Sequence, residues 1–354
     1  MSYRYLGNKT RLATWISATT RELIGPTGRI ADLMCGTGAV AERFAEDGYE
    51  VIAGDQLYFP CLHARARLLF SDTEVFGRSG MSYSDTISHL NELGPISGFF
   101  SQEYGEEGKP SNGRESRLYF SKKNAGRIDA IRNQIRNWRL EGVSPVICDL
   151  LLHDLILATN DVANISGTYG YFQSSLSRAS LKNLQMTETV VCPPGNHQVV
   201  HGSVFETIQS LKVDLLYLDP PYTKRQYAGN YHILETIAMD DEPSPVGDGG
   251  LREWSTLSSP FCFRRRAPEA ISNVMNLAVA NVVMWSYSAD GQVSLEDFKD
   301  ILSNFGKVEV RKANLPRFRS NSGGEGGTVD EYLLICDRRT VSTNSRKSRL
   351  GGDK

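Results

Sequence analysis

The sequence predicts an open α/β sheet with a mainly helical insertion. An apolar run, Val213–Leu218, is predicted to form a buried strand. It is followed by Asp219–Tyr222, which has the sequence Asp-Pro-Pro-Tyr. A second apolar run, Arg29–Met34, ends at the glycine turn Cys35–Gly38 and is followed by a helical pattern over Ala39–Glu46. Ligands bind at the carboxyl ends of the strands in such sheets. We therefore expect both turns to line a binding site.

Composition sets broad limits on the class of protein. The 354 residues, 40% hydrophobic and 23% charged, suit a globular protein with one large domain and an insertion. No stretch approaches the roughly 20 apolar residues of a membrane span, and no signal peptide is visible. We therefore expect a cytoplasmic protein without membrane contact. The six cysteines are scattered and form no C-x-x-C pair, so no metal site is predicted.

The first part of the chain has the order expected of a nucleotide-binding half. A helical stretch is predicted over 10–23, and a second strand over 50–53 leads to Asp55. Asp55 follows the glycine turn by about 20 residues, where an acid commonly accepts the hydroxyls of a ribose. A nicotinamide oxidoreductase would also fit Gly36 and Gly38, but Ala41 stands where its third glycine belongs. That departure counts against the oxidoreductase.

The regular alternation of strands and helices is lost between Phe70 and Cys192. From residue 111 to 140 there are eight Lys or Arg and two acids, a local charge of +6. A helix is predicted to start after Ser121, with an apolar stripe that begins at Ile128. Along one flank lie Arg132, Arg136 and Arg139. The arginines either form an ordinary solvated face or contact DNA phosphates, which positions a duplex without reading its sequence.

The remaining elements complete a discontinuous domain. Further strands are predicted over 198–203 and 282–287, helices over 149–164 and 295–305, and an antiparallel hairpin from 308–310 and 332–336. The predicted organisation is a catalytic domain of residues 1–70 and 196–338, an insertion of residues 71–195, and a disordered basic tail of residues 339–354.

The Asp-Pro-Pro-Tyr turn suits a substrate with an exocyclic amine on a planar base. Asp219 and the Pro220 carbonyl can each accept one N–H of the amine, which draws its lone pair out of the ring plane. Pro-Pro makes the turn stiff. Tyr222 offers a face on which a base can stack, a contact worth roughly 1–3 kcal/mol. Arg225 and Arg264 are candidates for phosphate contacts beside it.

These motifs resemble a known family. Asp219–Tyr222 resembles the catalytic motif of amino-group DNA methyltransferases, and the following RQYAGNYHILETI resembles the Dam-like D12 class of adenine-N6 methyltransferases. Asp32–Gly38 resembles the motif D-L-F-x-G-x-G, with Met34 in place of the aromatic residue. The resemblance implies a Rossmann-like sheet that binds S-adenosylmethionine. The residues implied to bind this cofactor are Tyr5, Gly7, Asn8, Lys9, Asp32, Gly36, Gly38, Asp55 and Asp219.

The resemblance also implies a function. A site-specific DNA adenine methyltransferase must flip its target base out of the duplex. The order cofactor motif, insertion, catalytic motif is that of the α group, so target recognition is expected within 71–195. Double-stranded DNA is the implied partner, in a restriction-modification or phage/host DNA-protection context. Whether a cognate restriction endonuclease is a second partner is left open. The alternatives are transfer to cytosine N4, transfer to adenine in RNA, and a catalytically silent DNA-binding relative; Asp219 favours adenine.

Overall fold

The fold is centred on a seven-stranded sheet. A computed structural model describes residues 5–70, 82–112, 114–190, 195–316 and 328–339. The strands are β1 (Arg29–Asp32), β2 (Glu50–Asp55), β3 (Gln198–His201), β4 (Val213–Leu218), β5 (Ala280–Ser288), β6 (Lys307–Pro316) and β7 (Thr328–Asp337). Their order across the sheet is β3-β2-β1-β4-β5-β7-β6. The first five strands run parallel, and β7 is antiparallel to both β5 and β6.

Twelve α-helices accompany the sheet in the described ranges. They are α1 (Ala13–Ile24), α2 (Ala39–Glu46), α3 (Tyr58–Leu68), α4 (Tyr83–Glu92), α5 (Phe99–Glu103), α6 (Lys122–Leu140), α7 (Pro145–Val162), α8 (Val204–Thr207), α9 (Tyr227–Asn230), α10 (His232–Met239), α11 (Ala267–Leu277) and α12 (Leu295–Ser303). No helix in these ranges is long and apolar enough to cross a bilayer. The predicted basic tail lies outside the described residues, apart from Arg339.

Local sequence explains where the helices of the insertion begin. The Ser121 side chain accepts a hydrogen bond from the backbone of Asn124, so the predicted start of α6 is confirmed. Helix α7 begins at Pro145, earlier than the predicted residue 149. Ser144 caps it, and proline is well suited to the first helical position because its missing N–H has no partner to lose there. The predicted hairpin is also confirmed, with strands longer than expected.

The pairing of β1 with β4 positions the site. The two strands run parallel, with Ala31 opposite Leu216 and Asp32 opposite Tyr217. Because β2 and β3 lie on one side of β1 while β4 and β5 lie on the other, the winding of the sheet reverses here. Such a reversal opens a crevice between the loops that leave the two strands. The glycine turn after β1 and the Asp-Pro-Pro-Tyr turn after β4 both face this crevice.

The insertion is helical, and residues 82–112 and 114–190 contribute no strand to the sheet. Its helices α4 to α7 pack in one apolar cluster with α3 and α10. Phe59 and Ile233 from the flanking helices and Ile131 and Leu155 from the insertion all belong to this cluster and are fully buried. The insertion is therefore continuous with the helical layer on one face of the sheet.

A buried ion pair fixes the loop that follows α10. The guanidinium of Arg117 is fully buried and donates to a Glu103 carboxylate oxygen at 2.8 Å. It also donates to the backbone carbonyls of Glu103, Gly247 and Asp248 and to the side chain of Asn112. Arg117 thus joins the insertion to residues 247–248 of the second half of the chain.

Replacing Arg117 should therefore be costly. Arg117→Ala leaves the Glu103 carboxylate buried without a counterion, so we expect a loss of about 3–5 kcal/mol in the free energy of unfolding. The neighbouring Arg114, which is 60% exposed in its pair with Asp248, supplies the control. Arg114→Ala should cost less than about 1 kcal/mol. Denaturant unfolding of the two variants measures this, and equal losses would contradict the assigned role of Arg117.

Candidate active site

One cavity at the carboxyl edge of β1, β2 and β4 collects most of the predicted site residues. It encloses about 1010 Å³, counting the part open to solvent. The predicted residues that line it are Tyr5, Gly7, Asn8, Lys9, Asp32, Gly36, Asp55, Asp219, Pro220 and Tyr222. They come from three separate parts of the sequence, which the sheet brings together.

Of the two glycines in the turn after β1, only Gly36 lines the cavity. Gly36 has a φ of 51°, and a Cβ atom there would lie 3.0 Å from the ring of Tyr5. Gly38 precedes α2 with a φ of 74°, and its Cβ would meet Cα of Ala64 at 3.3 Å and Cδ of Arg67 at 3.1 Å. Gly38 therefore permits close packing of α2 against α3, and its expected contact with a cofactor stays a prediction.

Asp32, at the end of β1, is a buried carboxylate without an ion-pair partner among the described residues. It is 1% exposed, and neither of its oxygens has a hydrogen bond of ordinary geometry. Burial raises its pKa well above the ordinary value, the nearby charges of Asp219 and Asp55 raise it further, and the backbone of Met34 lowers it to a smaller extent. A buried carboxylate without an ion-pair partner costs free energy. The site is consequently suited to a cationic ligand.

Asp55, at the end of β2, has its carboxylate held by two backbone amides. Its oxygens accept from the Gly36 N–H at 3.1 Å and the Leu57 N–H at 3.0 Å. Burial raises its pKa to about 6, against the lowering effect of these amides. An ionised carboxylate has about four acceptor positions, so capacity remains for ligand hydroxyls. The contact with Gly36 also couples Asp55 to the turn after β1.

The carboxylate of Asp219 pairs with Lys9. The Lys9 ammonium lies 3.3 Å from Asp219 Oδ1 and is almost completely buried. Burial raises the pKa of Asp219 to about 7, and the positive charge of Lys9 limits that rise. Burial lowers the pKa of Lys9, but the charges of Asp219, Tyr222 and Glu331 outweigh it and the net pKa is raised. Lys9 therefore stays protonated and favours the ionised form of Asp219.

The rest of the Asp-Pro-Pro-Tyr turn offers an acceptor and an aromatic ring. No backbone N–H in the described ranges donates to the Pro220 carbonyl. The Tyr222 ring makes an edge contact with Tyr287, with centroids 5.5 Å apart. Its hydroxyl donates to Glu331 Oε1 at 3.2 Å. Sequence reasoning missed Glu331, because nothing near it on β7 marks a site and only the sheet brings it to Lys9.

The N-terminal segment is held against the segment that follows the catalytic turn. The Tyr5 ring stacks on Tyr231 with centroids 4.9 Å apart. The Tyr231 hydroxyl accepts from the Leu6 N–H at 2.7 Å, and the Tyr227 hydroxyl donates to the Leu6 carbonyl at 2.8 Å. Tyr227 lines the cavity, whereas Tyr231 is buried beneath Tyr5. These contacts place Lys9 beside Asp219.

The three arginines of α6 occupy structural positions. Arg132 is 3% exposed and Arg136 is partly exposed, and both pair with Asp240 at 3.4 Å and 2.9 Å. Arg139 pairs with Asp149 at 3.3 Å. Burial of Arg132 and the ion pairs formed by all three contradict the expected row of free phosphate contacts. The stripe is better explained as the seam between α6 and the neighbouring helices.

Arg225 and Arg264, by contrast, are exposed near the cavity. The loops that carry them are joined by Gln226 and Ser259, which exchange two hydrogen bonds of 2.8 Å and 3.2 Å. The Cys262 sulfur also lies within hydrogen-bond distance of the Arg225 carbonyl. Because Gln226 and Ser259 both line the cavity, the two arginines stand on adjoining loops at its rim.

Comparison with known proteins agrees with this geometry. Residues 5–310 match the family model of the D12 class N6 adenine-specific DNA methyltransferases. The chain is 32% identical to Type II methyltransferase M.FokI of Planomicrobium okeanokoites over 98% of its own length, but it spans only 54% of that relative. It is 30% identical to M.NlaIII of Neisseria lactamica and 29% identical to M.CviAII of Paramecium bursaria Chlorella virus 1. Each of these two alignments covers 94% of the chain. The alignments cover 99% of M.NlaIII and 97% of M.CviAII. The chain belongs to the D12 class of N6 adenine-specific DNA methyltransferases.

Proposed function

We propose that this protein transfers a methyl group from S-adenosylmethionine to the N6 amino group of an adenine flipped out of double-stranded DNA. One observation carries the proposal: the carboxylate of Asp219 and the unpaired carboxylate of Asp32 line the same cavity. Membership of the D12 class supports it. Cytosine N4 presents a similar amine, and the product assay described below separates it from adenine N6.

The residues present fit the cofactor. S-adenosylmethionine carries an amino group and a sulfonium, and the unpaired Asp32 carboxylate is suited to such a cation. Asp55 has acceptor capacity for the ribose hydroxyls, and Gly36 leaves the backbone open to close approach. The loop from Tyr5 to Lys9 forms another wall of the cavity. When bound, the cofactor supplies a methyl group on a positively charged sulfur.

The protein's part in the reaction is to hold and orient the amine. Asp219, whose ionised form Lys9 favours, accepts one N–H of the amine, and the Pro220 carbonyl accepts the other. These bonds draw the planar amine towards a tetrahedral geometry, which withdraws its lone pair from the ring π system, while Tyr222 stacks on the base. The amine gives up one proton as it gains the methyl group, and Asp219 is the nearest base. Such catalysis acts by positioning and electrostatics.

Exposed cations beside the cavity are suited to the DNA backbone. We name as the basic rim Lys224, Arg225, Arg264, Arg265 and Arg266. Arg266 lies over the ring of Phe263, and the other four side chains form no ion pair within the described ranges. Phosphate contacts there would hold the duplex with the flipped base over Tyr222.

The insertion is proposed to recognise the target sequence. It covers residues 71–195, and the catalytic domain comprises residues 1–70 and 196–338. The relatives M.FokI, M.NlaIII and M.CviAII are named Type II methyltransferases, which supports a modification role in a restriction-modification system. A cognate restriction endonuclease is then the proposed partner, and the cytoplasm, where its DNA substrate lies, the proposed location.

Loss of the acceptor carboxylate should abolish the reaction. We expect Asp219→Ala to lower the rate of labelled methyl transfer by about 10²- to 10³-fold or more, because the amine loses one of its two acceptors. The substrate is DNA from a host that lacks adenine methylation, digested afterwards to nucleosides. Label on deoxyadenosine supports N6 transfer, label on deoxycytidine supports N4 transfer, and wild-type activity in the variant contradicts the role of Asp219.

Loss of Asp55 should weaken cofactor binding. Asp55→Ala removes hydrogen bonds to a charged acceptor, so we expect a loss of about 2 kcal/mol, roughly thirtyfold in Kd by calorimetry. Asp214→Ala is the matched control. Asp214 also accepts from a backbone N–H, that of Arg29 at 2.9 Å, but it lies at the opposite end of β4. An equal loss of affinity in both variants would show that Asp55 acts only on the fold.

Neutralising the basic rim should change the salt dependence of DNA binding. In Arg225→Gln/Arg264→Gln/Arg265→Gln, the slope of log K against log salt should become shallower by up to about 3, because each lost phosphate contact accounts for about 0.9. Arg136→Gln/Arg139→Gln is the control, and its slope should match that of the wild type. If the slope changed in the α6 control and not in the basic-rim variant, α6 would be the element that contacts DNA.

A further inference from the structure

The Lys9 ammonium is shared between two carboxylates. It lies 3.3 Å from Asp219 Oδ1 after β4 and 3.2 Å from Glu331 Oε2 on β7. Glu331 also accepts from the Tyr222 hydroxyl at 3.2 Å through its other oxygen. A single side chain therefore contacts both Lys9 and Tyr222, and through Lys9 it is linked to Asp219.

The sheet itself places Glu331. Glu331 is opposite Ser288 of β5 and Ala313 of β6, and it is 8% exposed. Its neighbour Asp330 points the other way, because successive side chains of a strand alternate between the two faces. Asp330 pairs with Lys312 at 2.7 Å on the partly exposed face. Glu331 lies beyond residue 310, where the family match ends.

A counterion that serves only stability would explain part of this arrangement. A buried carboxylate needs partners, and Lys9 and Tyr222 supply them. The geometry has a further consequence, since Lys9 is nearly equidistant from Asp219 and Glu331. If Glu331 were absent, the whole of the Lys9 charge would act on Asp219 and compete with the amine for its oxygens. The Tyr222 hydroxyl would also lose its acceptor and keep only the longer contact with the Lys9 ammonium, at 3.5 Å.

We propose that Glu331 is a positioning residue for methyl transfer: by holding Lys9 and the Tyr222 hydroxyl, it leaves the Asp219 carboxylate open to the amine and fixes the ring on which the base stacks. The inference rests on the proposed function. Glu331 touches neither base nor cofactor in this scheme. It acts through the two residues it contacts.

The pH dependence of the rate distinguishes a positioning role of Glu331 from a purely structural one, because only the former changes the pKa at which Asp219 titrates. The charged and titratable groups around Asp219 are Lys9, Glu331, Asp32, Tyr217, Tyr222 and Tyr227. Of these, Lys9 lowers the pKa of Asp219 and Glu331 raises it. The rate should fall as pH drops through the pKa of Asp219. Removing the charge of Glu331 lowers that pKa, so activity should persist to more acidic pH.

Two substitutions of Glu331 test the proposal. Glu331→Ala removes both contacts, and we expect kcat to fall about ten- to a hundredfold, the scale of a small misplacement in a site. Glu331→Gln keeps an oxygen acceptor for the Tyr222 hydroxyl and should recover part of that loss. In both variants the acid limb of kcat/KM should move to lower pH by about one unit. The assay is labelled methyl transfer into DNA that lacks adenine methylation.

Asp330→Asn is the matched control, because it removes a carboxylate from the same strand without touching Lys9 or Tyr222. It should leave both kcat and the acid limb unchanged. The positioning role is overturned if the Glu331 variants keep the wild-type acid limb. It is also overturned if their loss of activity equals their loss of folded protein. If the wild type itself transfers no label, the proposed function fails, and that outcome is distinct from wild-type activity with indifferent Glu331 variants.

Discussion

The parallel pairing of β1 with β4 is the constraint on which the site depends. It sets Asp32 opposite Tyr217, so the turns that follow the two strands leave the sheet side by side. Gly36 and Asp219 are far apart in sequence, because the whole insertion lies between them. The pairing of β1 with β4 brings them to the same cavity. The antiparallel β7 then adds Glu331 on the far side of β5. Two strands, β4 and β7, thus deliver the carboxylates that pair with Lys9.

The insertion shows why local charge in a sequence is a poor guide to surface potential. Its excess of arginine suggested a DNA-binding helix, yet Arg117 and Arg132 are buried and Arg136 and Arg139 are partly exposed in ion pairs. Their acidic partners lie on other elements, such as Asp240 after α10. Arginine can reach such partners because its long stem packs along apolar surface while the guanidinium forms several directed bonds. Five exposed cations outside the insertion form the basic rim.

Features coded within a few residues could be predicted from the sequence. The strands β1, β2, β4 and β5, the capped start of α6 and the closing hairpin all follow from short patterns, and the two turns marked the cavity. Features that depend on tertiary contacts could not be predicted. Gly38 allows the close approach of Ala64, and Glu331 meets Lys9 only because the β7 register brings it there. Spacing along the chain carries no information about either contact.

The cavity has an uneven balance of charge that bears on turnover. Among the residues that the structure describes, Asp32, Asp55 and Asp219 line it together with one ammonium, that of Lys9. Burial and mutual repulsion raise the pKa of Asp32, which is the expected cost of placing like charges together. A ligand that brings positive charge relieves this repulsion, and a cleft of one sign concentrates ligands of the other. In the proposed reaction the sulfur loses its positive charge with the methyl group, so the same carboxylates that favour binding of the substrate form hold the product less tightly.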